Sequence, residues 1–202
     1  MKPFTKGLWL GTLVGFSAAL VLLFTGVMSL SLFMNSSMGK ALLGKVVLRP
    51  LRFPSEDKIV DLGVLDPDWT LRTLDGEEVQ AGRFRGQPMF LNLWATWCFP
   101  CVMEMPGIAR LSESLRHDGV VFVFVSEEDP EVVRRFVEDR DPGLPVYLIA
   151  DEVPDALRSE AIPLTLIVDP QGTIVFRHAG AADWDHEGSR SFLRTLARGP
   201  TP

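Results

Sequence analysis

Cys98 and Cys101 are the only cysteines of the 202-residue chain, and they stand in Trp97-Cys-Phe-Pro-Cys101. A C-x-x-C pair placed where a strand hands over to a helix is a redox motif. The first turn of a helix carries N–H groups without intrahelical partners, and the helix dipole is positive there. Both favour a thiolate at Cys98, which predicts an exposed nucleophile, with Cys101 one turn further in and able to close a disulfide with it. The chemistry is thiol–disulfide exchange: Cys98 attacks a partner disulfide, a mixed disulfide forms, and Cys101 resolves it. Structural zinc takes four ligands at paired spacing. No second C-x-x-C exists, and His117, His178 and His186 show no ligand spacing. An inert disulfide and a Cu(I) chaperone using the same two sulfurs remain the alternatives. No cofactor is expected.

The neighbouring residues refine this. Pro100 falls in the first helical turn, where a missing N–H costs nothing. Neither Phe99 nor Pro100 is cationic, so neither supports a Cys98 thiolate by charge, and a moderately reducing couple is expected. Trp97 and Phe99 flank the nucleophile and suit an apolar docking surface, whereas Trp94 suits the core. Met103 and Met105 read as helix packing rather than as copper ligands. Glu104, three residues after Cys101, shares its helical face. Pro106 falls inside the helix and should kink it. Trp184-Asp-His-Glu187 reads as a loop into the last helix, and Arg134-Arg135 as a solvated face.

Several elements must position these residues. Asp75-Gly76 between two short apolar-polar runs predicts a hairpin. Met89 to Ala95 is nearly continuously apolar, as in a strand buried on both faces. A helix is expected from about Cys98 to Leu115, a strand over Val120–Val125, and a helix over Glu131–Asp139 opened by Asp129-Pro130. A short strand at Val146–Ala150 and a helical turn around Asp155–Ser159 follow. Ile162–Asp169 and Thr173–Arg177 form a second hairpin about Pro170-Gln-Gly172, and a last helix spans His186–Ala197. The order predicts an α/β domain with a mixed sheet covered by helices.

The N-terminal quarter is different. Residues 1–54 carry six basic side chains and no acidic one, while the rest of the chain holds all 26 acidic residues. So acidic a body is a poor nucleic-acid binder. Gly7 to Met34 holds no charge over roughly 28 residues, longer than the ~20 that cross a bilayer and longer than a cleaved signal's h-region. This suggests a basic N-terminus (residues 1–6), an uncleaved transmembrane anchor in the lipid bilayer (7–34), a tether (35–64) and a globular domain (65–202). Four basic residues follow the span closely and two lysines precede it, a count that on its own puts the domain in the cytoplasm. Ala41-Leu-Leu-Gly-Lys-Val-Val-Leu48 mixes those charges with apolar residues and is suited to lie along the membrane surface, which blunts that rule.

Taken together, Thr73-Leu-Asp-Gly76, Asn92-Leu-Trp-Ala-Thr-Trp-Cys-Phe-Pro-Cys101, Glu104 with Pro106, and Ile162-Pro163 ahead of Leu166-Ile-Val-Asp-Pro-Gln-Gly172 resemble the thioredoxin-fold proteins, within them the membrane-anchored TlpA/ResA-like branch. The resemblance implies a cis peptide at Pro163 facing the cysteines, with Ile162 offering its backbone to a client chain. It also implies a role for Glu104 in proton transfer at Cys101, because Asn92 stands where thioredoxins proper have a buried aspartate and cannot titrate. Leu164 stands where relatives usually have Thr. The implied work is reduction of specific protein disulfides on the periplasmic side of a bacterial inner membrane, for example in cytochrome c or copper-site maturation, with a membrane or periplasmic thiol donor recharging the pair. A peroxiredoxin-like peroxidase would want Thr three residues before the reactive cysteine and Pro seven before; Ala95 and Leu91 stand there.

Overall fold

The computed structural model describes residues 24–33, 36, 48–55 and 59–199. The chain divides into two compact units, Met1–Val47 and Leu48–Pro202. In the first, residues 24–33 form a helix whose apolar side chains, such as Phe24 and Leu30, are exposed. Most of the expected span over 7–34 lies outside the described residues. Among the described residues no helix is long and apolar enough to cross a membrane.

The second unit begins at Leu48, ahead of the boundary near 65 expected from composition. The physical reason is packing. Leu48 is buried, and Leu51, Phe53 and Ile59 lie against the main core despite the prolines and charges around them.

Seven strands form one sheet in the order β2-β1-β5-β4-β3-β6-β7. They are β1 (Thr70–Thr73), β2 (Glu78–Gln80), β3 (Met89–Leu93), β4 (Val121–Ser126), β5 (Val146–Ile149), β6 (Leu164–Val168) and β7 (Ile174–Ala179). The helices of the second unit are α1 (Phe99–Leu115), α2 (Pro130–Arg140) and α3 (Glu187–Arg198), with 3₁₀ turns at Ala81–Phe84 and Asp155–Leu157. The strand β3 is central, parallel to β4 and antiparallel to β6. All five of its residues are buried, which matches its unbroken apolar run.

Strand alternation sorts β3 onto two faces. Phe90 joins the cluster that also holds Met105, Ile108 and Leu111 of α1, Val133 of α2 and Phe192 and Leu193 of α3. Met89, Leu91 and Leu93 join the opposite cluster, with Trp69, Leu71 and Leu157. The side chains of all three helices thus belong to one face. Coil, the hairpin and both 3₁₀ turns contribute to the other, where helices on the sheet had been expected without a choice of side. Burying a side chain the size of Phe90 or Leu111 contributes about 1.5–3 kcal/mol, so the helix face is held mainly by these contacts. Pro106 sits within α1, which runs on through it to Leu115.

Candidate active site

The site forms where β3 ends and α1 begins. Trp94, next to the end of β3, is fully buried and its ring lies 5.2 Å from that of Phe136, which anchors the strand end under α2. The following turn is clasped from the side by Glu128, just after β4. One Glu128 oxygen accepts from the Thr96 backbone N–H (2.6 Å) and from Ser126 Oγ (3.1 Å), and the other accepts from Thr96 Oγ1 (2.7 Å). Nothing in the spacing of Glu128 announces this. It follows from β4 pairing in parallel with β3, which brings the ends of both strands to the same edge.

Cys98 is the N-cap of α1, and its Sγ accepts from the Cys101 backbone N–H at 3.2 Å. Pro100 occupies the first turn, and no acidic residue stands there to oppose the helix dipole. Cys98 and Cys101 are joined in a disulfide, so the pair is in its oxidised form. The expectation of an exposed Cys98 is corrected: it is only 3 % exposed, and Cys101 1 %. The capping geometry turns Cys98 Sγ toward the helix, into the cluster with Trp94 and Ala95. Exposure passes instead to its neighbours, Trp97 (73 %) and Phe99 (68 %).

Across from the disulfide stands the loop before β6. The Ile162–Pro163 peptide is cis, as the resemblance implied. The Ile162 carbonyl oxygen lies 3.7 Å from Cys98 Sγ, a distance at which the reduced thiol could donate to it. Trp97 and Ile162 also wall a groove of about 330 Å³ beside the pair, bounded further by Glu127, Glu128 and Glu160. The structure therefore brings Cys98, Cys101, Trp97, Ile162 and Pro163 together. Phe99 and Pro100 lie between the two cysteines in sequence and are exposed.

Glu104 is not a surface residue. It is 1 % exposed, and both its oxygens are engaged. Oε1 accepts from Asn92 Nδ2 (3.0 Å), while Oε2 accepts from the Ala182 backbone N–H (3.0 Å) and from Trp184 Nε1 (2.9 Å). Asn92 Nδ2 also donates to Thr165 Oγ1 at 2.9 Å, its direct cross-strand neighbour on β6. Burial pushes the Glu104 carboxyl up to about 7, against the hydrogen bonds from Ala182, Trp184 and Asn92, which pull it down. A carboxyl poised near neutrality can take or give a proton under working conditions. The loop reading of Trp184 holds, yet its indole is a partner of this carboxylate, which sequence reasoning missed. Arg134 likewise does more than face solvent, since it donates to the Leu74 carbonyl and ties α2 to the first hairpin.

Among the described residues no group of three or more His, Cys, Asp and Glu side chains could hold a metal ion.

The comparisons agree with this geometry. A 115-residue stretch is 32% identical to the thiol-disulfide oxidoreductase ResA of Halalkalibacterium halodurans, covering 56% of this chain and 65% of that protein. ResA of Geobacillus kaustophilus is 32% identical over 124 residues, 60% of this chain and 71% of that one. The matches thus span about two thirds of these relatives' own lengths. A crystal structure from Chlorobium tepidum, assigned as the thiol:disulfide interchange protein DsbE, superposes with a TM-score of 0.59 at 21% identity over 68% of this chain and 99% of that one, which shows the shared fold. The family model of AhpC/TSA matches residues 63–177. That match takes in more than half of the chain, from the strands before the cysteines to β7, and the chain belongs to the AhpC/TSA family, its thioredoxin-like domain standing with the ResA-type thiol–disulfide oxidoreductases.

Proposed function

We propose that this chain is a membrane-tethered thiol–disulfide oxidoreductase that reduces particular protein disulfides on the outer side of a bacterial inner membrane. One observation carries the chemistry: a Cys98–Cys101 disulfide at the N-terminus of α1, with Cys98 Sγ held between the Cys101 N–H and the Ile162 carbonyl. In the reduced enzyme, the Cys98 thiolate attacks one sulfur of a client disulfide, and the other client sulfur leaves as a thiolate and takes up a proton. The Cys101 thiol passes its proton to the Glu104 carboxylate, and its sulfur attacks Cys98 Sγ. The enzyme disulfide forms, the second client sulfur departs, and two electrons have moved from enzyme to client. A thiol electron donor must then return the pair to the dithiol. Peroxidase chemistry lacks its usual threonine and proline, with Ala95 and Leu91 in their places.

The client is held as an extended segment, its backbone against Ile162 and its apolar side chains on Trp97 and Phe99. Trp97→Ala and Phe99→Ala are each expected to raise KM for a protein client about tenfold, a normal loss for an interface aromatic. Their effect on a small disulfide substrate should be slight. Equal losses on both substrates would mean the aromatics support the fold rather than the client.

The outer location rests on the resemblance, against the count of basic residues that flank the uncharged run over 7–34. Intact cells carrying the full chain, reduced and then treated with a membrane-impermeant maleimide, should label Cys98. Labelling only after lysis would put the domain in the cytoplasm, where the basic residues after the span point.

A further inference from the structure

Residues 48–53 open the second unit, and contacts of Arg49, Pro50 and Phe53 fall on the stretch around Asp183 and on Phe176 and Phe192. The Asp183 backbone N–H donates to the Arg49 carbonyl at 3.0 Å, and Pro50 and Asp183 form an isolated parallel bridge. The Phe53 ring stacks on Phe192 (4.9 Å between centroids, planes 21° apart) and also meets Phe176 (4.7 Å), His186 (6.0 Å) and Trp184 (6.3 Å).

Asp183 lies between the two residues that bond Glu104 Oε2. Ala182 gives its backbone N–H and Trp184 its indole N–H to that oxygen, while Asp183 gives its own backbone N–H to Arg49. Successive residues of this extended stretch thus alternate in role: 182 and 184 engage the buried carboxylate and 183 engages the incoming chain. Holding 183 from outside fixes where both donors sit. Covering Trp184, which is fully buried, closes the outer wall of the carboxylate's surroundings.

We propose that residues 48–53 act as a positioning strap for Glu104: by pinning Asp183 and covering Trp184, they hold two of its three donors in place and keep water from the carboxylate. This rests on the proton-transfer role of Glu104 given above. Arg49, Pro50 and Phe53 are positioning residues and touch neither cysteine nor client.

The groups that bond the carboxylate, Asn92 from β3, Ala182 and Trp184, are all neutral, as is Thr165 from β6 behind Asn92. Charged and titratable side chains surround the loop itself. Asp185 is paired with Arg110 and Arg190; Asp183 and His186 stand on the same stretch, Glu187 opens α3, His178 of β7 lies against Trp184, and Cys101, a thiol once reduced, precedes Glu104 by three residues on α1. Burial holds both histidines below their usual range. With the carboxylate's own contacts neutral, its proton affinity depends chiefly on exclusion of water. Loosening the strap should admit water, and because burial is the largest influence on this carboxyl this lowers the affinity by more than slackened Ala182 and Trp184 donors raise it.

The test is the pH dependence of client reduction by the full chain in membranes, for Phe53→Leu, Phe53→Val and Phe53→Ala, with Glu104→Gln as reference. The rate limb that belongs to Glu104 should lie near pH 7 in the unaltered protein and be absent in Glu104→Gln. It should move to lower pH in the order Leu, Val, Ala, by about one unit for alanine, a tenfold fall in proton affinity. Phe53→Leu, which keeps apolar cover, should lie nearest the unaltered protein. A folded member of the series with a lowered melting temperature and an unmoved limb overturns the strap, because a merely structural contact changes stability alone. If alanine does not fold, the leucine and valine variants decide by the same ordering. A profile that Glu104→Gln leaves unchanged refutes the role of Glu104 itself; a limb lost in Glu104→Gln and unmoved across the Phe53 series refutes the strap only.

Discussion

Cys98→Ser is expected to abolish client reduction, at least about 10³-fold, while Cys101→Ser is expected to accumulate the client as a stable mixed disulfide. The asymmetry follows from position. Cys98 Sγ is the N-cap acceptor, takes the Cys101 N–H at 3.2 Å and lies against the Ile162 carbonyl. Its thiolate is the one stabilised by the helix end, so it makes the first attack. Exposure does not separate the two, at 3 % and 1 %; Cys101 lies one turn further into α1 and lacks the capping position. In the proposed cycle its role is resolution, and replacing it is expected to stop the cycle after the first step. Insulin reduction coupled to a dithiol measures the first loss. A non-reducing gel of membranes measures the trap, and the partner caught on Cys98 identifies the client. If Cys98→Ser accumulated the adduct instead, the roles assigned to the two sulfurs would be reversed.

Glu104→Gln is expected to change both stability and rate, in opposite senses. Burial penalises the charged form of Glu104 and pushes its carboxyl in the folded chain from the ordinary 4.5 up to about 7. Between those values the folded state keeps a proton that the unfolded state has released. Stability therefore falls as pH rises through this window, by about 3 kcal/mol once pH exceeds 7. Glutamine never charges and escapes that loss. Its carbonyl can take the Ala182 and Trp184 donors. Its amide can meet Asn92 if the Asn92 amide turns over and Thr165 Oγ1 becomes the donor. The variant should melt close to the unaltered protein near pH 4.5 and higher above pH 7, by on the order of 10 °C for a chain of this size. A melting difference that does not grow with pH would mean the carboxyl does not titrate in that window.

The rate should move the other way. Without a base, Cys101 must ionise unaided before it can resolve the mixed disulfide. The expected loss is about 10²-fold, the low end for general acid–base catalysis, at and below pH 7. It should shrink as pH approaches the ordinary thiol value of about 8.5, where the thiolate forms without help. Stopped-flow measurement of resolution at pH 6 and pH 9 distinguishes this from a pH-independent loss, which would signal damage to the helix instead.

Much of the fold was legible because it is written in local patterns. The apolar run at 89–95, the Asp75-Gly76 turn, the Asp129-Pro130 start of α2 and the final helix all lie close to where periodicity and turn chemistry placed them. The cysteine pair was legible from spacing alone. The cis bond at Pro163 and the interest in Glu104 came from resemblance, not from any pattern in the residues themselves. The first unit offers less, since most of residues 7–34 lie outside the described residues.

What escaped the sequence shares one cause. Ala182 and Trp184 are 78 and 80 residues from Glu104, and Glu128 is 32 from Thr96. Phe53 was set in a tether by the prolines and charges around it, and Cys98 was expected at the surface. Hydrophobic period reports which face of an element is buried, but not which distant loop closes over it. By itself, then, the sequence determined the two sulfurs at a helix start, and the resemblance added a carboxyl one turn on. Only the tertiary structure decided their environment. Parallel pairing of β3 with β4 brings Glu128 to the loop, antiparallel β6 sets Thr165 behind Asn92, and the chain before α3 folds over Glu104. Proton affinity and access depend on that exclusion of water, which only the assembled fold provides.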